Sequence, residues 1–191
     1  KKLVPLTLAL ALGLTACGTA GQNPAPAASP TPAGDVQGTE TPANTEGFPF
    51  TLTTKDGAEV TFTHVPEKVL CTNVNTGDQL MALGLGDRII YTANNNTRVA
   101  PEYRAEYEVI PQMADKPSLA LDPDFVYGRS SAFSEKYNTE HDTLSQYGIM
   151  SLSSIEGYKL GADLEDVYQD FYNLGRIFQV EERAEELVND M

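Results

Sequence analysis

The chain of 191 residues carries 13 Lys and Arg against 27 Asp and Glu, a net charge of −14. An acidic surface favours solubility and argues against nucleic acid as a partner, because phosphate binding needs clustered cations. The two cysteines are Cys17 and Cys71. We expect the first to carry lipid and the second to be a small buried hydrophobe, so no disulfide framework is predicted within the chain.

The first residues are typical of a bacterial lipoprotein signal. Lys1 and Lys2 precede an apolar stretch at residues 3–14, and small residues lead into Cys17. The stretch is too short to span about 30 Å of hydrocarbon, which disfavours a transmembrane helix. We therefore predict a signal peptide over residues 1–16, lipidation of Cys17, and a place on the extracytoplasmic face of the cell membrane. Because no Met begins the chain, we expect its true start to lie upstream.

A linker is predicted next, over residues 17–47 including the lipidated cysteine. Ala, Pro and Thr dominate it and large apolar residues are almost absent, so it cannot bury enough surface to offset its chain entropy. The folded part is predicted over residues 48–180. It opens with a β-hairpin, because residues 50–54 and 59–64 alternate apolar and polar side chains around Lys55-Asp56-Gly57.

The rest of the folded part alternates strands and helices. Strands are predicted at residues 68–73, 88–92, 124–128 and 148–153. Helices are predicted at residues 77–85, at residues 139–147 with capping-box spacing at their start, from an N-cap at Asp163, and again from Glu181. Nothing caps the last helix before Met191, which leads us to expect a fragment of a longer protein.

This alternation predicts an α/β fold with a mainly parallel sheet covered on both faces, because most of the strands are continuous apolar runs. Ligands of such sheets sit at the carboxyl ends of the strands. The loops expected to line a site are residues 73–77, 93–98, 129–133 and 153–160.

Several motifs follow one another in order. Pro66-Glu67-Lys68-Val69-Leu70 leads into Leu-Met-Ala-Leu-Gly-Leu-Gly-Asp-Arg-Ile-Ile at residues 80–90, and Leu-Ala-Leu-Asp-Pro-Asp-Phe-Val occupies residues 119–126. Asp-Val-Tyr, Asn-Leu-Gly-Arg-Ile-Phe and Glu-Glu-Arg-Ala lie within residues 166–184. Together they resemble the class III periplasmic-binding-protein family, the substrate-binding proteins of ABC importers for ferric siderophores, cobalamin and haem.

The resemblance implies two α/β lobes joined by one rigid helix, with the ligand in the cleft between them. This chain would supply the Rossmann-like N-terminal lobe, with its N-terminal β-hairpin, and the truncated start of the inter-lobe helix at residues 181–191. In the family, a helix between a Pro-Ser turn and the following Pro-Asp strand usually carries the acid that docks on the permease. Here Lys116-Pro117-Ser118 runs almost directly into residues 119–124, and Asp115 is the nearest acid.

Arg129 is the first ligand candidate, because it follows a strand end and a guanidinium pairs with carboxylate, hydroxamate or catecholate oxygens. Its alternative is a surface ion pair. Aromatic faces and hydrogen-bonding amides are offered by Tyr91, Tyr127, Tyr158, Asn73 and Asn94, with a second cation at Arg98. For the first two tyrosines the alternative is strand packing, and for the asparagines it is the capping of turns and helices.

An enzyme is not predicted. The two histidines, His64 and His141, lie in different elements without metal-ligand spacing, and no phosphate loop or nucleophile motif occurs. We therefore expect no catalytic residue, no cofactor and no metal site. The predicted function is a lipid-anchored receptor that captures a ferric siderophore for an ABC permease. The alternatives are a cobalamin or haem receptor of the same class, and a surface lipoprotein that keeps the fold without transport.

Overall fold

The computed structural model describes residues 46–54, 57–93, 99–113, 119–155, 157 and 159–191. The predicted signal peptide, the lipidation site Cys17 and most of the predicted linker lie outside these residues. Within them, none of the helices combines the length and the apolar character that a membrane span requires.

The predicted hairpin is confirmed. Strands β1 (Phe50–Thr53) and β2 (Glu59–Phe62) pair antiparallel, with Phe50 opposite Phe62. The hydroxyl of Thr54 donates to the Ala58 carbonyl and accepts from the Ala58 amide, each at 3.0 Å, which closes the ribbon at its turn. The two Phe rings stack at 5.3 Å, so the hairpin lays an aromatic face on the core.

A five-stranded parallel sheet forms the centre of the lobe, which confirms the α/β fold. Its strands are β3 (Val69–Cys71), β4 (Ile89–Ala93), β5 (Gln112–Met113), β6 (Phe125–Gly128) and β7 (Met150–Ser153). Their order across the sheet is β5-β4-β3-β6-β7. The chain moves outward from β3 to β5 and then resumes at β6 on the other side of β3. The direction of winding therefore reverses between β3 and β6, the position at which open parallel sheets bind ligands.

The helices are α1 (Val74–Ala82), α2 (Arg104–Val109), α3 (His141–Gln146), α4 (Leu164–Phe178) and α5 (Glu181–Asp190). The predicted N-cap of α4 is confirmed: Asp163 accepts from the Asp166 amide and the Asp166 side chain accepts from the Asp163 amide. The predicted capping box at the start of α3 is wrong. Thr139 instead donates its hydroxyl to the Ala132 carbonyl, and the N-cap, Glu140, makes no side-chain cap bond.

Apolar side chains cover both faces of the sheet, as predicted. The larger cluster packs α1, α4 and α5 against one face, with Phe125 at its centre in edge-on contact with Phe178 at 5.8 Å. The smaller cluster, on the other face, joins Leu70 and Val126 to Leu144 of α3. Each such buried side chain stabilises the fold by about 1.5–3 kcal/mol. Cys71 is a buried free thiol, and burial raises its pKa to about 12, in line with the expected apolar role.

Candidate functional site

The carboxyl ends of β3 and β6 lie side by side at the point where the winding reverses. The Thr72 amide donates to the Tyr127 carbonyl at 2.9 Å, so the two chains remain paired up to their last strand residues. A Cβ at Gly128 would overlap the Thr72 side chain, so only glycine permits this approach. The residues that follow, Asn73 and Arg129, are therefore brought to one edge by the strand register itself.

Asn73 occupies the N-cap position of α1, but its side chain makes no cap bond. Its Oδ1 instead accepts from the Thr76 hydroxyl at 3.2 Å. The residue is half-buried, and its Nδ2 donates to no atom in the described part of the chain. The amide nitrogen therefore remains a donor at the sheet edge.

Arg129 is exposed on the loop after β6, where its carbonyl accepts from the Ala132 amide at 2.8 Å to close a short 3-10 turn. Across the residues that the structure describes, its guanidinium forms no ion pair with an acid. The surface-pair alternative is thus not realised there. An uncompensated guanidinium at a strand end is suited to an anionic ligand oxygen.

The loop after β7 packs beside Arg129. The Ser154 amide donates to the Gly128 carbonyl at 2.8 Å, which continues the β6–β7 pairing beyond the strand. A Cβ at Gly157 would lie 2.7 Å from Ser154 Oγ and 2.9 Å from Arg129 Cγ, so these two side chains are neighbours across that glycine. The Ser130 hydroxyl donates to the Gly157 carbonyl at 3.5 Å. The loops after β6 and β7 therefore hold each other in place.

Asp170 of α4 fixes the backbone of the same loop. Its side chain is fully buried, and its two carboxylate oxygens accept from the Ile155 amide at 2.8 and 3.0 Å. Ser154 and Gly157 lie in the loop at residues 153–160 that the sequence predicted to line a site, although neither was named there as a ligand residue. Asp170 was not predicted, although it carried a signal as an acid lying between Val167 and Leu174 on the apolar face of its helix.

The two described tyrosines among the predicted ligand residues pack in the protein interior, the alternative that the sequence left open. Tyr127 is fully buried, stacks on Phe125 at 6.1 Å and donates its hydroxyl to Gln79 Oε1 at 2.6 Å. Tyr91 is half-buried and packs against the smaller cluster. Neither ring joins Arg129 at the sheet edge. The other candidates, Asn94, Arg98, Tyr158 and Asp115, lie outside the described residues and stay predictions.

The two histidines lie in different elements, and each has its own partner. His64 Nε2 lies 3.7 Å from an Asp124 carboxylate oxygen at the amino end of the sheet. The ring nitrogens of His141 lie 2.7 and 3.1 Å from the hydroxyls of Ser151 and Ser153. In the described ranges, no group of three or more His, Cys, Asp or Glu side chains is arranged to hold a metal ion.

Comparison with known proteins relates the chain to the transport proteins that its motifs resemble. No protein-family model matches it. A Bacillus subtilis (strain 168) protein named "Uncharacterized ABC transporter substrate-binding lipoprotein YvrC" is 25% identical over 162 residues, which cover 82% of this chain and 48% of the relative.

Solved structures of binding and transport proteins are also similar to this chain. A periplasmic binding protein from Veillonella parvula DSM 2008 is 28% identical with a TM-score of 0.66, covering 74% of this chain and 49% of its own. The ABC-type Fe3+-hydroxamate transport system from Saccharomonospora viridis DSM 43017 is 26% identical with a TM-score of 0.60. The match covers 75% of this chain and 53% of that one. The haem-binding protein HmuT, at 16% identity, a TM-score of 0.53 and coverage of 74% and 44%, shares the fold alone.

The chain therefore spans about half the length of the relatives that it matches. This share fits the N-terminal lobe of a two-lobed protein. The named relatives are binding and transport proteins rather than enzymes. The family resemblance drawn from the motifs is thereby confirmed.

Proposed function

Because the chain is related to the substrate-binding proteins of ABC transporters, we propose that it supplies the N-terminal ligand-binding lobe of a lipid-anchored receptor for a ferric siderophore. Residues 48–180 would form that lobe, and residues 181–191 would begin the helix that connects it to a second lobe. The receptor would capture the chelate outside the cell and deliver it to an ABC permease, with no bond broken.

Arg129 is the observation that carries this proposal. It stands exposed and without an acidic partner among the described residues, beside Asn73, where the winding of the sheet reverses. Hydroxamate and catecholate chelates are rich in oxygen and often anionic, and a guanidinium recognises such oxygens with two parallel hydrogen bonds. The name of the Saccharomonospora viridis structure, an Fe3+-hydroxamate transport system, supports this ligand class.

Haem and cobalamin are disfavoured by the placement of the tyrosines. Both ligands present large apolar faces, which bind well on exposed aromatic rings. Tyr127 is fully buried and Tyr91 packs on the sheet, so neither provides such a platform in the described lobe. The likeness to HmuT, at 16% identity, is one of fold and adds no argument for haem.

The test is a calorimetric titration of the full-length mature protein. The probes are ferrioxamine B as a ferric hydroxamate, ferric enterobactin as a catecholate, haemin and cyanocobalamin. We expect tight binding of one ferric siderophore, weakened at least about tenfold by Arg129→Ala, since an unpaired ligand charge is costly to desolvate. Silence across the panel from a demonstrably folded protein would overturn the proposal.

Lys68→Ala is the matched control, because it removes a cation at the amino end of the same sheet. Lys68 pairs with Asp122 at 3.0 Å on the surface. We expect its loss to leave the affinity unchanged. If both variants weaken binding equally, the effect comes from net charge, and Arg129 is not a ligand-binding residue.

Anchoring through Cys17 is part of the same proposal. It rests on the signal pattern before this cysteine and on the lipoprotein name of the Bacillus subtilis relative. Metabolic labelling with a radioactive fatty acid should mark the protein in bacterial cells, and Cys17→Ser should abolish the label and release the protein from the membrane fraction. Retained labelling of that variant would contradict the anchor.

A further inference from the structure

Helix α5 crosses α4 at a point of very close approach. A Cβ at Gly175 would lie 2.8 Å from the Cβ of Ala184, so the two helices meet where neither has a long side chain. Leu187 and Val188 of α5 are half-buried against the larger cluster. These apolar contacts hold α5 on the lobe, but they are non-directional and leave its tilt about the crossing weakly determined.

A polar contact with a third helix supplies a direction. Arg183, in the first turn of α5, donates from Nε and Nη2 to the Ala82 carbonyl at 3.3 and 3.2 Å. Ala82 is the last residue of α1, and a cation suits that end because the last carbonyls of a helix lack helical partners and its dipole is negative there. Two donors from one planar group fix the guanidinium on this oxygen, and Nη1 also donates to Glu186 at 3.2 Å.

This contact joins α5 to the helix that starts at the predicted binding edge. Helix α1 follows Asn73 directly and ends nine residues later at Ala82, so the direction of α5 is tied to the element that begins beside Arg129. A tilt of about 10° would move a point roughly 20 Å along a helix by about 3.5 Å. A binding site tolerates misplacement of only about 0.5 Å.

We propose that Arg183 is a positioning residue for ligand binding. By holding the end of α1, it fixes the direction in which α5 leaves the lobe, and so places the second lobe over the carboxyl edge that carries Arg129 and Asn73. The inference rests on the proposed function, in which α5 begins the connecting helix, and deepens it by naming the residue that sets the geometry of the cleft.

The decisive variant is Arg183→Met in the full-length mature protein, with ferrioxamine B and ferric enterobactin as probes. Methionine keeps an unbranched apolar stem and removes the guanidinium. We expect the affinity for the siderophore that the wild type binds to fall about five- to tenfold, because only a fraction of the molecules then hold the two lobes in the binding arrangement. Small-angle X-ray scattering of the ligand-free variant should show a changed separation of the lobes.

Glu186→Gln is the matched control on the same helix turn. It removes the ion pair with Arg183 and leaves both bonds to the Ala82 carbonyl. We expect wild-type affinity and a wild-type scattering profile.

Thr54→Ala is the control for stability. It also removes two hydrogen bonds, those between its hydroxyl and the Ala58 backbone at the turn of the hairpin. A destabilised lobe is still almost fully folded well below its thermal midpoint, so its affinity there should equal that of the wild type. A residue with a merely structural role would behave in the same way, which makes reduced affinity of the folded Arg183→Met protein the informative result.

The outcomes separate this inference from the function on which it rests. If the wild type binds and Arg129→Ala weakens binding while Arg183→Met binds like the wild type, the inference is overturned and the receptor function stands. Equal weakening by Arg183→Met and either control would overturn it as well, and so would reduced affinity with an unchanged scattering profile. If the wild type binds no ferric siderophore, the function and the inference fall together.

Discussion

The two edges of the parallel sheet differ in whether their polar groups have hydrogen-bond partners within the chain. At the amino edge, the Asp124 carboxylate accepts from the Glu67 amide at 2.7 Å and from the Lys68 amide at 2.8 Å. The Lys68 ammonium in turn lies 3.0 Å from Asp122, and the Arg88 guanidinium donates to the Pro66 carbonyl. The groups at this edge satisfy one another within the chain.

At the carboxyl edge, several donors lack partners among the described residues. Arg129 pairs with no acid there, Asn73 keeps a half-buried amide nitrogen that donates to none of these residues, and the buried Ser154 hydroxyl has no acceptor among them. This contrast agrees with the proposed function, in which the amino edge stabilises the lobe and the carboxyl edge binds the ligand.

Asp124→Ala should produce the largest loss of stability. It removes the acceptor of two backbone amides, and a hydrogen bond to a charged acceptor contributes about 1.5–3 kcal/mol, so we expect the free energy of unfolding to fall by about 3 kcal/mol. Urea unfolding followed by circular dichroism measures it. Siderophore affinity at the other edge should not change.

Asp122→Asn is the companion variant at the same edge, because asparagine also tolerates the left-handed backbone at this position, where φ is 53°. Its side chain is 89% exposed, and its only described partner is the surface ammonium of Lys68. We expect a change within about 0.5 kcal/mol, because exposed ion pairs contribute little. Comparable losses in the two variants would contradict the role given to Asp124, and reduced affinity in either would break the division between the edges.

Asp170→Ala should affect both properties, because Asp170 lies in the core but supports the binding loop. Removing its carboxylate leaves the Ile155 amide without its acceptor, which we expect to cost about 2 kcal/mol of unfolding free energy. The loss of a fixed loop should also weaken siderophore binding severalfold. Asp170→Asn keeps one acceptor oxygen, so it should retain part of the stability and part of the affinity that Asp170→Ala loses.

Glu165→Gln serves as the control on the same helix, since Glu165 is exposed in the first turn of α4. It changes the charge of α4 without altering the loop, and we expect little change in either measurement. If Asp170→Ala lowers stability but leaves affinity intact, the loop after β7 does not belong to the binding edge.

The sequence predicted the fold best where local signals mark the ends of elements. The Lys55-Asp56-Gly57 turn located the hairpin, and Asp163 located the start of α4. By contrast, α2 and the two-residue β5 were not predicted, because tertiary contacts hold them. The Tyr107 ring of α2 is buried, and its hydroxyl donates to the Val74 carbonyl at 3.0 Å. A six-residue helix has no stability of its own that a pattern could reveal.

The same distinction holds for the site. Arg129 and Asn73 could be located from the sequence, because each directly follows an apolar strand and strand ends of a parallel sheet share one edge. The loop at residues 153–160 could be located in the same way, but the individual positions of Ser154 and Gly157 within it could not. Their significance lies in a juxtaposition with Arg129 that depends on the β6–β7 register, in which Gly128 lies opposite Ser153. No spacing along the chain encodes that register.

The smallest expected effect concerns the start of α4, which continues from the binding loop. Asp163→Ala removes an N-cap, which costs about 1 kcal/mol.

The hydrogen bond and the charge of Lys159, 2.7 Å away, together with the Asp163 amide, hold the pKa of the Asp166 carboxyl below its ordinary value. A carboxyl whose pKa is lower in the folded state stabilises the fold above its ordinary pKa and loses that contribution as the pH falls through its folded pKa.

Unfolding free energies measured from pH 6 downward should therefore decrease in the wild type as Asp166 takes up its proton. In Asp166→Asn this part of the decrease should be absent. Lys159→Met should reduce it as well, because the ammonium is the largest cause of the shift. Identical pH profiles for all three proteins would show that the ion pair contributes nothing to the fold. In that event the contact of Asp170 with the Ile155 amide, rather than this ion pair, would be what holds the loop after β7 to α4.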